Sequence, residues 1–532
     1  MRVLLLLRVG LVATILSTLV PDGAGAQVTA FRQAVAETAA IDEDLAAFYR
    51  GRAFEGIWTG SDAAAIARRN ALLNALDAAP LHGLPAARFD PRALMADLRD
   101  ARTAHEKGVM EVRLTETYLD YARAVQSGLL TPRSVVSEIR REVVYTPRAD
   151  LLAGFAAADN PAAFLRGLPP STDEYVRLMQ AAARLEHQIA AGGWGAPVPA
   201  GRLEPGNEGA GVIALRDRLV AMGYLDRSVT LRYDASIEAA VRRFQQAHGL
   251  TPDGIVGEGT LDALNRSPEQ RLQQVFVAME RERWFNQPRG ARHIWVNLTD
   301  FHAAIVDDGA VTFTTRSVIG ATNPDRQSPE FSDQMSFMVI NPSWYVPRSI
   351  TVNEYLPGLR NNPNAHGHLQ VLNSRGQVVN RGAVNFSRYN ASNFPFSMRQ
   401  PPSPNNALGQ VKFMFPNPYN IYLHDTPAQS LFSHEVRAYS HGCIRLDDPY
   451  DFAYALLAAQ ESDPVGFFQA RLRSGAETRV NLEQPVPVHL VYRTAFTSLT
   501  GELNFRRDIY GRDARIWAAL EREGVVIPGG AS

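Results

Sequence analysis

Cysteine is all but missing from this chain. Cys443 is the single one in 532 residues, so no disulfide can form within the chain. Lysine is nearly as scarce: Lys107 and Lys412 are the only two, and arginine carries the remaining positive charge, a compositional bias rather than a functional sign. Charge of one sign is not in excess either. With 54 Lys and Arg against 55 Asp and Glu, the formal net charge is -1, which leaves no global basic field to attract nucleic acid or acidic lipid. After the first twenty residues no long apolar run appears, and with it any second candidate for a membrane span. The spacings H-E-x-x-H and C-x-x-C are missing as well, which argues against the common zinc sites. What is present is an ordinary globular mixture, 45% hydrophobic and 20% charged, with 33 prolines and 39 glycines. The length exceeds one core and suggests about three or four domains.

The start reads as a targeting segment. Arg2 and Arg8 precede an apolar run from Val9 to Val20, then Pro21 and the small residues Ala24-Gly25-Ala26. This fits a secretory signal peptide over residues 1–26, cleaved before Gln27. The competing reading is an uncleaved anchor. No cysteine lies near the cleavage site, so a lipoprotein anchor is excluded. The expected location is exported and periplasmic, associated with the cell wall, or anchored if the signal stays on. Exported proteins usually use cysteines in pairs, and an odd one is flagged as a candidate reactive thiol.

Residues 27–205 are rich in alanine, leucine and arginine with helical periodicity, and are expected to form a helical scaffold domain. Trp58, Phe89, Tyr118 and Tyr121 read as core. "GGWGAPVPAGRLEPGNEG" (192–209) is a Gly/Pro linker. Next comes a compact module, assigned to residues 206–268. Val212, Leu215, Leu219 and Met222 mark one helical face, and Ile237, Val241 and Phe244 mark a second behind the cap Asp234. A turn then leads to a third short helix through Leu261 and Leu264. The string "VRRFQQAHGLTPDGIVGEGTLDAL" (241–264) resembles the small three-helix peptidoglycan-binding domain through Phe244, Gln245, Gly249, Leu250, Asp253, Gly254, Gly257, Thr260 and Leu264. These positions are mostly structural, so a spacer role stands beside glycan binding. Residues 269–289 read as a connecting helix that packs back onto the N-terminal domain and makes the module an insertion.

From residue 290 the pattern changes to strands, in "HIWVNLTDF", "MSFMVINPSW" and "VKFMFPNPYNIYLHD". A mainly-β catalytic domain is expected over 290–495, interrupted at about 348–405 by a loop-rich insert that reads as a lid. The tail, 496–532, reads as a small peripheral turn and helix. The fold class is therefore multidomain α+β.

In "YNIYLHD", Ile421 and Leu423 fall on one face of a strand and Tyr422 and His424 on the other. Cys443 follows nineteen residues after His424 in "SHGCIRLDDP". Asp448 and Pro449 read as the cap and first turn of a helix, which places Cys443 in a loop between a strand end and a helix start. A thiolate is the nucleophile that chemistry needs, and a nearby imidazole can take the thiol proton and return it to a leaving amine. Gly442 permits a tight turn and close approach of a carbonyl. The N–H groups of Gly442 and Cys443 are candidates for an oxyanion loop. The alternatives are a lone buried thiol and a zinc site from His424, His434, His441 and Cys443.

"HDTPAQSLFSHEVRAYSHGCIRL" resembles the active-site motif of the L,D-transpeptidases, with His424, Ser440, His441, Gly442, Cys443, Ile444 and Arg445 at the motif positions. Upstream, "SPEFSDQMSFMVINPSWYVPRSI" and "RQPPSPNNALGQVKFMFPN" resemble the long periplasmic members, which carry a scaffold domain, a peptidoglycan-binding module and a capping insert. The resemblance implies a mechanism. His424 takes the proton of Cys443, and the thiolate attacks a stem tetrapeptide and expels the terminal D-alanine. An amine of a second stem then resolves the thioester into a 3-3 cross-link. It implies further that the backbone carbonyl of Asp425 orients His424 and that His441 shapes the oxyanion pocket. Ser440, Arg445, Tyr422 and Trp344 are implied as substrate-binding residues. No cofactor or metal is required, peptidoglycan is the partner, carbapenem β-lactams are the expected covalent inhibitors, and a monomer is expected. Three rivals stand beside this reading. A papain-like endopeptidase places its cysteine before its histidine, the reverse of the order here. The same site could hydrolyse stem peptides as an L,D-carboxypeptidase or endopeptidase. A non-catalytic wall-binding protein would leave Cys443 inert.

Overall fold

Short polar residues ahead of apolar-periodic stretches start the N-terminal helices. Asp42, Asp62, Asn160 and Thr172 each accept the backbone N–H three residues on through their side chains. The computed structural model describes residues 23–498 and 500–527. Residues 1–22 of the expected targeting segment lie outside the described residues, and among those described no helix is long and apolar enough to cross a membrane. The chain forms two compact units. Among the described residues the first comprises 23–78, Ala87–Arg123 and Thr146–Leu168; the second comprises Ala79–Ala86, Ala124–Tyr145 and those from Pro169 on. The segment expected as one helical domain, 27–205, thus contributes to both.

Within the first unit Trp58, Phe89, Tyr118 and Tyr121 are buried, in keeping with their reading as core. The wholly buried Glu111 carboxylate accepts the N–H groups of Ile57, Trp58 and Thr59 at 2.5, 3.1 and 2.9 Å and so fixes the loop that carries Trp58.

In the second unit the helix Asp173–Ala190 packs along the helix Pro268–Trp284, and the small module lies between them in sequence. The connecting helix therefore packs back onto the last scaffold helix, as expected. In its "ERER" run Glu280, Arg281, Glu282 and Arg283 are all buried, and each is paired, as buried charge requires. Arg281 reaches Glu330 at 2.6 Å and Asp513 at 2.7 Å, Arg283 reaches Glu280 at 2.6 Å, and Glu282 meets Arg289 and Arg493. The module's helices are Ala210–Ala221, Ala235–Ala247 and Glu258–Leu264, around a core of Val212, Leu215, Leu219, Ile237, Val241 and Phe244. Met222 only borders that core. Gln245 ties the glycine turn through Asp253 Oδ1 at 2.8 Å and the Ile255 carbonyl at 2.9 Å. The module rests on the β domain where the Thr251 N–H donates to Glu435 at 3.1 Å.

The β domain contains β1 (Arg292–Asn297), β2 (His302–Asp307), β3 (Ala310–Gly320), β4 (Phe331–Ile340), β5 (Trp344–Tyr345), β6 (Gln370–Leu372), β7 (Ser397–Gln400), β8 (Val411–Met414), β9 (Leu423–His424), β10 (Ala438–Ser440), β11 (Ile444–Leu446) and β12 (Thr478–Val491). The order β3-β11-β9-β8-β4-β12-β1-β2 closes on itself because β2 also pairs with β3, and β10 runs parallel to the end of β3. Closure removes free edges, and the inward residues of these strands form one core with the helices Pro449–Leu457 and Pro464–Arg473. The insert carries its own sheet, β5-β7-β6, and its own core of Trp344, Ile350, Leu356, Leu359, Phe394 and Met398.

The tail departs from expectation. The hairpin β13 (Ala495–Thr497) and β14 (Leu503–Phe505) leads to Tyr510, Arg512 and Asp513, which are buried, and to the helix Arg512–Arg522. It is a part of the domain's interior, because Arg512 and Asp513 complete the ion network around Arg281.

Candidate active site

The alternation in "YNIYLHD" holds. Ile421 and Leu423 enter the barrel core, while Tyr422 and His424 face the other side. Next to β9 runs β11, parallel, with Ile444 opposite Leu423 and Arg445 opposite His424. One residue earlier in the same register, Cys443 lies beside Tyr422, and the Ile444 N–H donates to the Tyr422 carbonyl at 3.1 Å. In-register residues of parallel strands point the same way, so Cys443, Arg445, Tyr422 and His424 share one face.

The expected placement of Cys443 ahead of a helix needs correction. The half-buried Cys443 closes a tight turn between two short strands, β10 and β11, and the helix begins only at Pro449. Three-residue strands carry too little periodicity to be read from sequence. Asp448 stands at the cap position, yet its carboxylate accepts from Thr315 Oγ1 at 2.9 Å and makes no cap bond.

His424 is 4% exposed. Its Nδ1 lies 2.5 Å from the Asp425 carbonyl oxygen. A carbonyl only accepts, so the hydrogen bond assigns the proton to Nδ1 and leaves Nε2 as the free base. The Asp425 carboxylate is itself fixed by the N–H groups of Gln410 at 2.8 Å and Thr426 at 2.6 Å. Burial first, and the Arg445 cation second, lower the His424 pKa to about 3, against the pull of the Asp425 and Leu408 carbonyls. Burial likewise pushes the Cys443 thiol up to about 11, although Tyr422 and Arg445 stabilise its thiolate. The resting pair is therefore neutral thiol and neutral imidazole. The thiol points at the Asn420 carbonyl, with sulfur to oxygen at 3.5 Å.

The turn itself is built from its own polar groups. Gly442 has φ +112, a conformation that favours glycine, and a Cβ there would crowd Ile421 at 3.1 Å. Its N–H, expected to face an oxyanion, donates instead to Ser440 Oγ at 3.0 Å. Ser440, expected to touch substrate, is buried, and its hydroxyl donates to the Cys443 carbonyl at 2.6 Å. Trp344, also expected near substrate, is buried in the core of the insert against Tyr355. Tyr422, outside the barrel interior, borders the hydrophobic cluster of the β domain and that of the insert and so joins the two. Arg445 makes no ion pair among the described residues, and its Nε has no hydrogen bond. His441 is exposed, and its Nε2 meets Glu354 Oε1 at 2.7 Å.

Sequence reasoning missed several neighbours. Glu354 lies in a π-helical turn of the insert, Thr351–Tyr355, and also pairs with Arg326 at 2.9 Å, so the insert is latched over the cysteine turn. Nothing in the sequence links positions 354 and 441. Asn420 and Ser328 were also missed; both act through tertiary contacts alone.

Comparison with known proteins divides the chain in three. Residues 43–181 match a scaffold domain, 208–264 a "Putative peptidoglycan binding domain", and 291–465 the L,D-transpeptidase catalytic domain. A "Putative L,D-transpeptidase" of Haemophilus influenzae is 29% identical over 256 residues, 47% of this chain and 50% of that protein. The N-acetylmuramoyl-L-alanine amidase CwlM of Mycobacterium tuberculosis is 43% identical over 75 residues, 12% of this chain and 18% of its own length. The chain thus spans half or less of these relatives. Among solved structures, an L,D-transpeptidase of Stackebrandtia nassauensis is 14% identical and covers 56% of this chain and 97% of its own, with a TM-score of 0.22, too low to bear on the fold.

Proposed function

Because the chain is a long member of the L,D-transpeptidase family, with scaffold, peptidoglycan-binding and catalytic domains in that order, we propose that Cys443 is the nucleophile of a peptidoglycan L,D-transpeptidase and His424 its general base and acid. One observation carries this reading. His424 is neutral, its Nδ1 is locked by a backbone carbonyl, and it shares a face with a neighbouring-strand thiol. That is the arrangement a cysteine acyl transfer needs.

The thiol turns from Asn420 to the imidazole as the donor binds. Its proton passes to His424 Nε2 while sulfur bonds to the carbonyl carbon of the tetrapeptide's third residue. The bond to the terminal D-alanine nitrogen then breaks, and His424 returns the proton to that amine. An amine from a second stem attacks the thioester, releases the thiol and forms the 3-3 cross-link. The Cys443 N–H supports the oxyanion. Arg445, a cation without a carboxylate partner among the described residues, is assigned to the donor's carboxylate. Residues 206–268 hold peptidoglycan near the site, the enzyme works outside the cytoplasm, and carbapenems acylate Cys443.

Mass spectrometry after exposure to a carbapenem tests the chemistry. A covalent adduct is expected on the native chain and none on Cys443→Ala; an unmodified native chain refutes the reading. Incubation with disaccharide-tetrapeptide is expected to yield dimers. Tripeptide alone would make the enzyme a hydrolase.

A further inference from the structure

Ser328 is wholly buried and lies 115 positions before Cys443 in the chain, outside the catalytic pair. Its hydroxyl accepts the Gly320 N–H at 2.9 Å and donates to the Gly442 carbonyl at 2.6 Å. Because the first partner is a donor, the one hydroxyl hydrogen is committed to Gly442. A trans peptide is planar, with its C=O and N–H pointing in opposite directions. Holding the Gly442 carbonyl therefore aims the Cys443 N–H the opposite way. The rest of the turn is already spoken for. The Ser440 carbonyl accepts from the Ala321 N–H at 2.8 Å, the Cys443 carbonyl from Ser440 Oγ at 2.6 Å, and the Gly442 N–H is taken by Ser440. The Cys443 N–H makes no hydrogen bond among the described residues.

We propose that Ser328 is a positioning residue that sets the Gly442–Cys443 peptide so that the Cys443 N–H faces the oxyanion. The proposal rests on the reading of Cys443 as an acylated nucleophile. Glycine at 442 makes the anchor necessary, since a residue without Cβ lets the following peptide rotate at little steric cost. Ser328 is held from behind by the C-terminal segment. Arg512 donates to its carbonyl at 2.7 Å, and the Tyr510 hydroxyl sits 3.4 Å from its N–H while donating to the Gly320 carbonyl at 2.5 Å. The tail thus supports the oxyanion site through two buried residues.

The test compares two reactions of Cys443 in the full chain, native and Ser328→Ala. Acylation by a carbapenem builds negative charge on the lactam oxygen. The thiol proton goes to His424, the C–S bond forms, the lactam C–N bond breaks and its nitrogen takes the proton. Alkylation by iodoacetamide displaces iodide at a saturated carbon and needs no oxyanion donor. Ser328→Ala is expected to slow acylation by roughly 10- to 100-fold, a share of the loss seen when an oxyanion donor is removed. Alkylation at pH 9 is expected to change by less than about twofold, because the thiol's surroundings are kept. With disaccharide-tetrapeptide, kcat falls and KM holds. Acylation at the native rate overturns the proposal, and so does a parallel loss of both reactions, which marks general collapse of the turn. A native chain that alkylates but never acylates refutes the function instead. Tyr510→Phe is the second variant: it should slow acylation in the same sense by a smaller factor, and if Ser328→Ala does not fold, an unchanged acylation rate in Tyr510→Phe overturns the proposal.

Discussion

The neutral state of the resting pair gives the sharpest prediction, and the single cysteine makes it simple to measure. With the Cys443 thiol pushed up to about 11, the thiolate fraction at pH 7 is about one in 10⁴, against about 3 in 100 for an ordinary cysteine. The difference is roughly 300-fold. A more basic thiolate is also a better nucleophile, which returns roughly tenfold. Iodoacetamide should therefore alkylate Cys443 at pH 7 roughly thirtyfold more slowly than a free cysteine. The rate should climb about tenfold per pH unit and level off only near the thiol's pKa of about 11. His424 stays neutral to about pH 3, so no second wave of reactivity appears in acid. His424→Asn should leave this profile nearly unchanged, since burial, Tyr422 and Arg445 govern the thiol, while carbapenem acylation is lost. Rates followed by intact mass between pH 4 and pH 10 decide the matter. Fast alkylation on a plateau from pH 4 to 8 would mark a thiolate–imidazolium pair and refute the argument from burial.

Three further outcomes follow from the same structure. His424 resists protonation to about pH 3, whereas the unfolded chain takes the proton near its ordinary value of 6.5. Stability is thus lost as pH falls through 6.5, by up to about 5 kcal/mol at pH 3, and urea midpoints should fall less steeply over this range in His424→Asn. Glu330→Ala leaves Arg281 and Arg512 buried without their shared carboxylate, at an expected cost of about 3–5 kcal/mol; a change below about 1 kcal/mol in chemical denaturation would contradict the network's role. Glu354→Gln cuts the latch between the insert and His441, a contact about one-third exposed and contributing less than about 1 kcal/mol. Thermal stability should hold while proteolysis within 348–405 and alkylation of Cys443 both speed up, and unchanged rates would exclude a latch.

Local pattern determined a good deal. Period-2 alternation put Tyr422 and His424 on one face and Leu423 in the core, because neighbouring side chains of a strand must point oppositely. Apolar spacing with the Asp234 cap and the glycine turn determined the small module. That the Asp425 carbonyl orients His424 was implied by the family resemblance, and the fold places Nδ1 2.5 Å from that carbonyl oxygen, a partner adjacent in the chain. Tertiary structure alone decided the rest. The partners that neutralise the "ERER" run, Glu330, Arg493 and Asp513, are distant in sequence and meet it only in the fold. Ser440 and the Gly442 N–H look free to meet a substrate until the turn folds and each takes the other. Trp344 belongs to the insert because the insert forms a core of its own, and the tail is interior because Tyr510 and Arg512 reach Ser328. A sequence records which side chains share a strand or helix face, since that depends on backbone geometry within a few residues. Which polar groups remain free for chemistry depends on partners brought from elsewhere in the chain, and only the closed barrel with its insert and tail supplies them.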